Sequence, residues 1–194
     1  MAARMRRLNA FMQVSLDGRF ADAAGDMRFA HHPADDVQWR QFMAENAAAG
    51  GVLMFGRVTY DLMSSWWPTP AAAKAMPEIA RQMNALPKLV ASRTLSSALW
   101  SNTTVIKRDL IGTVRRMKAE PGADITILGS GSIVTQLASA QLLDMIEVAV
   151  NPIALGAGKN FLAGLPLPVP LRLTRTRVFD NGSVVLCYAR KDAA

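Results

Sequence analysis

Short apolar segments alternate with helix-like segments along most of this chain. Residues 124–128 are apolar and rich in β-branched side chains, residues 129–132 form a glycine-containing turn, and Ile133, Leu137 and Ala140 recur at helical spacing. A helix between two strands brings the second strand back parallel to the first, because parallel strands cannot be joined by a tight hairpin. This alternation predicts an α/β fold in which a mostly parallel sheet has helices on both faces.

The other segments extend the pattern. Apolar runs predict strands at residues 8–16, 52–55, 88–91, 104–106 and 145–150, with Phe20 continuing the first, and periodic segments predict helices at residues 34–48, 58–65, 71–84 and 109–119. Residues 171–179 and 183–189 alternate on either side of Asp180-Asn181-Gly182, which is typical of an antiparallel hairpin. We therefore expect one domain, residues 1–194, with a mixed sheet that ends in a C-terminal hairpin.

The composition favours a folded protein without a membrane partner. Hydrophobic residues make up 51% of the chain and charged residues 19%, which is typical of globular proteins. A helix needs about 20 apolar residues to cross a bilayer, and no apolar run of this chain is that long. Residues 1–16 lack the features of a signal peptide. The single cysteine, Cys187, cannot form an internal disulfide. We expect a cytoplasmic protein.

The formal net charge of +7 is compatible with two kinds of partner. Clustered Lys and Arg side chains bind nucleic-acid phosphates. Here the basic residues are scattered, and the densest stretches, residues 4–7, 115–118 and 172–177, contain no stacking aromatics. A basic surface also attracts anionic small molecules such as phosphorylated cofactors. We expect a small-molecule partner and no nucleic acid, although a basic nucleic-acid-binding protein stays an alternative.

Three segments that follow predicted strands combine glycine, hydroxyl and arginine residues. They are Gly56-Arg57-Val58-Thr59, Ser92-Arg93-Thr94 and Gly129-Ser130-Gly131-Ser132. Open α/β sheets bind ligands beyond the carboxyl ends of their strands, where glycine allows close approach and free helix amides bind anions. Pyrophosphate suits the third segment, and the two arginines suit an adenosine 2′-phosphate. Each segment by itself is also typical of a loop and helix cap in a protein that binds nothing.

Six short motifs run in order along nearly the whole chain. They are residues 15–21 (SLDGRFA), 54–60 (MFGRVTY), 67–69 (WPT), 92–95 (SRTL), 128–131 (LGSG) and 151–158 (NPIALGAG). In this series the chain resembles the dihydrofolate reductase-like family, and most of all the stand-alone bacterial relatives of the reductase domain of riboflavin-biosynthesis deaminase-reductases. The resemblance implies a three-layer fold with a central mixed sheet of about eight strands and a homodimer.

The resemblance further implies an NADPH-dependent reductase of a small heterocycle, either pterin-like or ribosylaminopyrimidine-like. Arg57, Thr59, Ser92 and Arg93 would hold the adenosine phosphates, and the nicotinamide would lie near the first strand and the turn at residues 15–18. The pyrophosphate would be wrapped by Gly129, Ser130, Gly131, Ser132, Ile133 and Val134. Gly56, Val58 and Thr94 would complete the cofactor site.

The proton donor is harder to identify from the residues. Hydride transfer requires a nicotinamide held against an electron-poor carbon and a source of one proton. Dihydrofolate reductases place a carboxylate on the first helix, and no residue of this chain matches it. Asp17 is the candidate catalytic acid, although an Asp-Gly pair also forms turns, and Asp35 and Asp36 suit helix capping. A nucleotide-binding protein without turnover is therefore an open alternative.

Trp39, Trp66 and Lys159 are the candidates for the substrate pocket. Tryptophan rings line ligand pockets as well as cores. Lys159 follows a glycine-containing loop, where it could meet a substrate phosphate or solvent. His31 and His32 are adjacent and have no Cys or acidic residue at metal-ligand spacing, so we expect no metal site.

Overall fold

A computed structural model describes residues 5–33 and 35–191 of the chain. The strands within these residues are β1 (Leu8–Ser15), β2 (Arg19–Ala21), β3 (Val52–Gly56), β4 (Lys88–Ala91), β5 (Thr103–Ile106), β6 (Ile125–Leu128), β7 (Met145–Asn151), β8 (Lys159–Asn160), β9 (Leu171–Val178) and β10 (Val184–Arg190). The helices are α1 (Val37–Ala48), α2 (Arg57–Trp66), α3 (Pro70–Ala75), α4 (Pro77–Ala85), α5 (Leu110–Lys118) and α6 (Gly131–Ser139). None of these described helices has the length and apolarity that a membrane crossing requires.

Eight strands form one mixed sheet in the order β5-β4-β3-β6-β1-β7-β10-β9. Neighbours from β5 to β7 pair in parallel, and β10 and β9 pair antiparallel at one edge. The predicted mostly parallel sheet with a C-terminal hairpin is confirmed. Because parallel strands end at the same edge of a sheet, the loops after β3, β4, β5 and β6 gather at one place.

The central strand β1 has side chains in two separate cores. Leu8, Ala10 and Met12 are buried on one face together with residues of α5 and α6. Phe11 points to the other face, where its ring centre lies 6.1 Å from that of Phe42 in α1. Side chains of a strand alternate between the two faces of its sheet, and both faces of β1 are therefore covered. The prediction of helices on both faces is confirmed.

The segment predicted as one helix at residues 71–84 forms two helices. Pro77 has no backbone N–H and disfavours a helical conformation at the residue before it. Met76 accordingly has φ of −141° and ψ of 67°, which ends α3 and lets α4 begin at Pro77. The single-helix prediction overlooked the effect of this proline.

Two further boundaries near the N-terminus differ from the prediction. Asp36 is the N-cap of α1 because its carboxylate accepts a hydrogen bond from the Trp39 N–H at 3.0 Å, so the helix begins at Val37. Ala34, where we predicted the start, lies outside the described residues. Phe20 does not continue β1: it belongs to β2, which pairs with β8 in a separate two-stranded sheet.

Candidate functional site

The sheet opens between β1 and β6 at its carboxyl edge. Pairing of these strands ends at Phe11 and Leu128, and the Gly129 N–H donates to the Phe11 carbonyl at 3.2 Å. On its other side, β1 continues to pair with β7 as far as Ser15 and Asn151. The last four residues of β1 therefore border an opening on the side of β6.

The main chain of Gln13 faces this opening. Along a strand, the backbone N–H and C=O groups of successive residues point alternately to the two neighbouring strands. The Phe11 carbonyl points toward β6. Gln13 lies two residues further along, so its N–H and C=O point the same way, where β6 has already ended. Gln13 thus offers one main-chain donor and one main-chain acceptor to the opening.

Ser130 joins the loop after β6 to the loop after β3. Its hydroxyl accepts a hydrogen bond from the Gly56 N–H at 2.7 Å and donates to Thr59 Oγ1 at 2.9 Å. Ser130 is only 8% exposed and has a left-handed φ of +60°. A Cβ on Gly129 would lie 3.3 Å from the Thr59 side chain. The structure therefore brings together four of the predicted cofactor residues, Gly56, Thr59, Gly129 and Ser130.

Two helix N-termini at this junction lack side-chain caps. Neither Gly56, which precedes α2, nor Ser130, which precedes α6, accepts a hydrogen bond from its own helix through a side chain. Free N–H groups and the positive end of the helix dipole attract anions. By contrast, Asp109 caps α5 at the same edge by accepting from the Gly112 N–H at 2.9 Å. The adjoining ends of α2 and α6 can therefore hold an anion such as a phosphate group.

The first turn of α6 is covered by Phe20 of β2. A Cβ on Gly131 would lie 2.7 Å from the Cε1 atom of Phe20, which is closer than two nonbonded carbon atoms approach. Ser132 is exposed, whereas Ile133 and Val134 are buried against the sheet. Of the six predicted pyrophosphate residues, only Ser132 is therefore exposed, because Ser130 and Gly131 are buried as well and Gly129 is half-buried.

A groove of about 510 Å³ runs from the loops after β4 and β5 to α6. Its lining includes apolar Ile106 and Ile133, and Arg93, Lys107 and Arg108 are exposed along it. Apolar walls suit a flat ring, and the cations suit a phosphate. Lys107 and Arg108 were not among the predicted cofactor residues, although both directly follow the strand predicted at residues 104–106.

Arg57 and Val58, two other predicted cofactor residues, do not line this groove. The Arg57 guanidinium binds the Asp61 carboxylate one turn further along α2, at 2.7 Å, and Val58 is 61% exposed. The Ser92 hydroxyl, which borders the groove, accepts a hydrogen bond from the Thr94 N–H at 3.3 Å and so shapes its own loop. Arg93 is therefore better placed than Arg57 to bind a ligand in the groove.

Asp17 holds two loops together. Its carboxylate accepts hydrogen bonds from the Ser15 hydroxyl at 2.7 Å and from the N–H groups of Leu155 at 3.0 Å and Gly156 at 2.9 Å. The Ser15 hydroxyl and these amides hold the pKa of Asp17 well below its ordinary value. An ionised carboxylate with these partners is a poor proton donor. The geometry therefore argues against Asp17 as the catalytic acid and in favour of a loop-fastening role.

The candidate substrate-pocket residues lie in different places. Trp39 is 5% exposed and packs edge-on against Phe179, with ring centres 5.1 Å apart. Trp66 is 41% exposed and ends α2, about 14 Å along the helix axis from Arg57. Lys159 is exposed on β8. The structure does not gather these three side chains into one pocket.

His32 connects three parts of the chain beside the N-terminus of α1. Its Nε2 lies 3.0 Å from Asn151 Oδ1, and its Nδ1 lies 3.0 Å from Asn181 Nδ2. Because Asn151 donates through its Nδ2 to the Val14 carbonyl at 3.1 Å, its Oδ1 accepts the proton of His32 Nε2. The ring stacks on Trp39 at 4.1 Å. Burial lowers the pKa of His32, which favours a neutral imidazole with both nitrogens engaged.

A family model described as the RibD C-terminal domain matches residues 6–185. The chain belongs to the RibD C-terminal domain family. This membership confirms the resemblance seen in the six motifs. Another similar protein is YyaP of Bacillus subtilis, which is 24% identical over 185 residues, covering 95% of each chain.

Solved structures of other proteins share the fold of this chain. A Shewanella sp. PV-4 protein assigned to riboflavin biosynthesis has a TM-score of 0.73 and 21% identity, with 95% of this chain and 99% of that chain covered. Dihydrofolate reductase of Enterococcus faecalis, complexed with NADP(H), has a TM-score of 0.59 and 16% identity, with 96% and 97% covered. The expected dihydrofolate reductase-like three-layer fold is confirmed.

Proposed function

We propose that this protein is an NADPH-dependent reductase of a small heterocyclic substrate. The observation that carries the proposal is the junction at Ser130, where the uncapped N-termini of α2 and α6 adjoin. The strand before Ser130, β6, borders the sheet opening, and the helix after it, α6, lines the cationic groove. A dinucleotide needs a central anion site with a ring site on either side. The shared fold with a dihydrofolate reductase complexed with NADP(H) supports the assignment.

The described residues fit the cofactor in three parts. The pyrophosphate fits the first amides of α6, where Gly131 has no side chain to collide with Phe20. The nicotinamide carboxamide matches the main-chain N–H and C=O of Gln13 at the sheet opening. The adenine ring fits the apolar lining near Ile133, and its 2′-phosphate fits the cations along the groove.

The protein's own part in the reaction is to orient the reactants. When bound, the reduced nicotinamide supplies a hydride to an electron-poor carbon of the substrate. Gln13 orients the carboxamide, and Phe20 covers the first turn of α6. Asp17, in the loop that precedes β2 and Phe20, fastens that loop to residues 155 and 156.

Solvent water is the proposed source of the proton. Asp17 is held ionised by its three donors. The Asp36 carboxylate accepts hydrogen bonds from the Trp39 N–H at 3.0 Å and from Asn181 Nδ2 at 2.6 Å, and these bonds lower its pKa as well. Both acids are therefore engaged in holding the fold, and water can reach the substrate through the sheet opening.

A second candidate function is nucleotide binding without turnover. It is favoured by the engagement of Asp17 and Asp36 in structural hydrogen bonds. The two candidates differ in a simple measurement, because a reductase oxidises NADPH in the presence of a heterocyclic substrate whereas a binding protein does not.

We further propose a homodimer with a small-molecule ligand and no nucleic acid. β9 is one of the two edge strands of the sheet. Its Leu173 and Val178 are exposed, which suits pairing with a second copy. Two arginines of the basic stretch 172–177 bind carboxylates of the protein itself, Arg175 to Glu147 and Arg177 to Glu45. A cytoplasmic location stays a prediction from the single cysteine.

The cofactor assignment is tested by titrating the full chain with NADPH and NADH and following nicotinamide fluorescence. Replacing Arg93 and Lys107 by alanine removes two cations from the groove. We expect this variant to bind NADPH about tenfold to a hundredfold more weakly, because charged hydrogen bonds to the 2′-phosphate are lost. Its NADH affinity should stay unchanged. Arg81→Ala is the matched control, because Arg81 is an exposed arginine paired with Glu78 on α4.

Two results would contradict the assignment. If neither cofactor binds at micromolar concentration, the reductase proposal fails. If the double variant weakens NADPH and NADH equally, the 2′-phosphate does not lie on the groove cations.

A further inference from the structure

Gln13 has a buried side-chain oxygen without a hydrogen-bond partner. Its Oε1 atom is buried, and no donor among residues 5–33 and 35–191 reaches it. A buried polar atom left unpaired costs about 1–3 kcal/mol. Most such atoms in folded proteins are therefore paired, and an exception needs an explanation. A ligand that donates to this oxygen is one such explanation.

The side chain lies next to the sheet opening, on the face covered by α1. Met12 and Val14 on either side of Gln13 are buried on the opposite face, so Gln13 points toward α1. Gln13 pairs with Ala149 of the neighbouring strand β7. Ala149 is buried in the same hydrophobic cluster as Trp39 and Phe42 of α1. On the other side, β6 has ended. The carboxamide therefore borders the space beside the proposed nicotinamide, where a substrate must lie for hydride transfer.

Other polar side chains on this face of the sheet already have hydrogen-bond partners or lie away from the opening. Ser15 donates to Asp17, and Asn151 is paired with His32. Asn9 also has an unpaired buried oxygen, but it lies where β1 is still paired with both β6 and β7. Among these described side chains, Gln13 therefore has an oxygen next to the opening that is left for a ligand.

We propose that the Gln13 carboxamide recognises an uncharged edge of the substrate ring that carries one N–H donor and one carbonyl acceptor, as in a lactam. Gln13 Oε1 accepts the substrate N–H, and Gln13 Nε2 donates to the substrate carbonyl. A carboxylate here would accept only, and would select a cationic edge with two N–H donors. The inference rests on the proposed function, because that function puts the substrate beside Gln13.

Two ring systems of equal size test this preference in the full chain. Quinazoline-2,4-dione presents uncharged lactam edges, whereas protonated 2,4-diaminoquinazoline presents two N–H donors and a positive charge. Binding of each is measured by ligand fluorescence, with and without NADP⁺. The variants are Gln13→Glu, which makes the side chain an acceptor only, and Gln13→Met, which keeps its size. Gln141→Glu is the control, because Gln141 is an exposed residue between α6 and β7.

We expect the wild type and Gln141→Glu to bind the dione at least about tenfold more tightly than the diamine, since a mismatched buried hydrogen bond costs at least that much. Gln13→Glu should reverse the order, and Gln13→Met should weaken dione binding about tenfold. NADP⁺ affinity and the thermal midpoint report on folding.

The outcomes separate this inference from the proposed function. An unchanged order of affinity in Gln13→Glu overturns the role of Gln13, and so does failure of both rings to bind a protein that binds NADP⁺. If NADP⁺ does not bind but the reversal occurs, the reductase proposal fails while the role of Gln13 stands. If no ligand binds at all, both are wrong.

Discussion

Gly131 is a residue whose missing side chain shapes the candidate site. The sequence indicates a glycine turn at this position, but it does not indicate what the glycine makes room for. In the structure the room is taken by Phe20, which lies 111 positions earlier in the chain and reaches the first turn of α6 from β2. Local sequence therefore identified the turn, and only the fold identified its neighbour.

At this residue we expect Gly131→Ala to weaken NADPH binding about tenfold. The added Cβ would stand 2.7 Å from Phe20 Cε1, so Phe20 must shift beside the amides that we propose bind the pyrophosphate. Fluorescence titration with NADPH measures the effect. Ser139→Ala, at the exposed end of the same helix, serves as control. Normal affinity in Gly131→Ala would mean that the pyrophosphate does not use this turn.

At the scale of elements, the helix caps show where local sequence succeeds and where it does not. Asp109 is the first residue of the helix predicted at residues 109–119, and its carboxylate caps α5 by accepting from the Gly112 N–H. Ser130 stands at the equivalent place before α6, yet its hydroxyl is turned to Gly56 and Thr59. A cap between residues three apart is a local interaction, whereas the partners of Ser130 lie more than 70 residues away.

The element-scale prediction concerns the cap of α5. Asp109→Ala should lower the free energy of unfolding by about 1 kcal/mol, because the Gly112 N–H loses its acceptor. NADPH binding should not weaken, since the variant removes a negative charge from the groove that we propose binds the 2′-phosphate. Urea unfolding and NADPH titration measure the two effects. Asp35→Ala is the control, because Asp35 is exposed and is not the N-cap residue of a helix. Unchanged stability together with weaker NADPH binding would contradict this account.

At the scale of the whole molecule, His32 fastens segments that are distant in the sequence. It links the loop before α1 to the end of β7 through Asn151 and to the β9–β10 turn through Asn181. Burial keeps the pKa of His32 in the folded protein below its ordinary value of 6.5. As the pH falls below 6.5, the unfolded chain therefore takes up a proton at this site before the folded protein does, and the unfolded state is favoured.

We accordingly expect the free energy of unfolding to decrease as the pH falls from about 6.5 to 5. His32→Asn should make this dependence flatter and should lower the stability at neutral pH, where the neutral ring makes its two hydrogen bonds. His31→Asn is the matched control, because His31 is adjacent and exposed. Denaturant unfolding at several pH values gives the slopes. The same slope in His32→Asn and in the wild type would rule out His32 as its source.

The sequence by itself determined the features that depend on neighbours along the chain. Alternating apolar and helical segments, the Asn181-Gly182 turn and the motif series led to the fold class, the hairpin, the family and three loops at one edge of the sheet. These features are local, because periodicity and turn chemistry act over a few residues. Even the broken helix at Pro77 had a local cause that the sequence contained.

Only the tertiary structure decided which groups meet. The free main chain of Gln13 follows from β6 ending before β1 does, and the cations at Lys107 and Arg108 join Arg93 because β5 pairs with β4. The engaged carboxylate of Asp17 follows from a loop 138 residues away. Strand order and register set these contacts, and no local pattern encodes them.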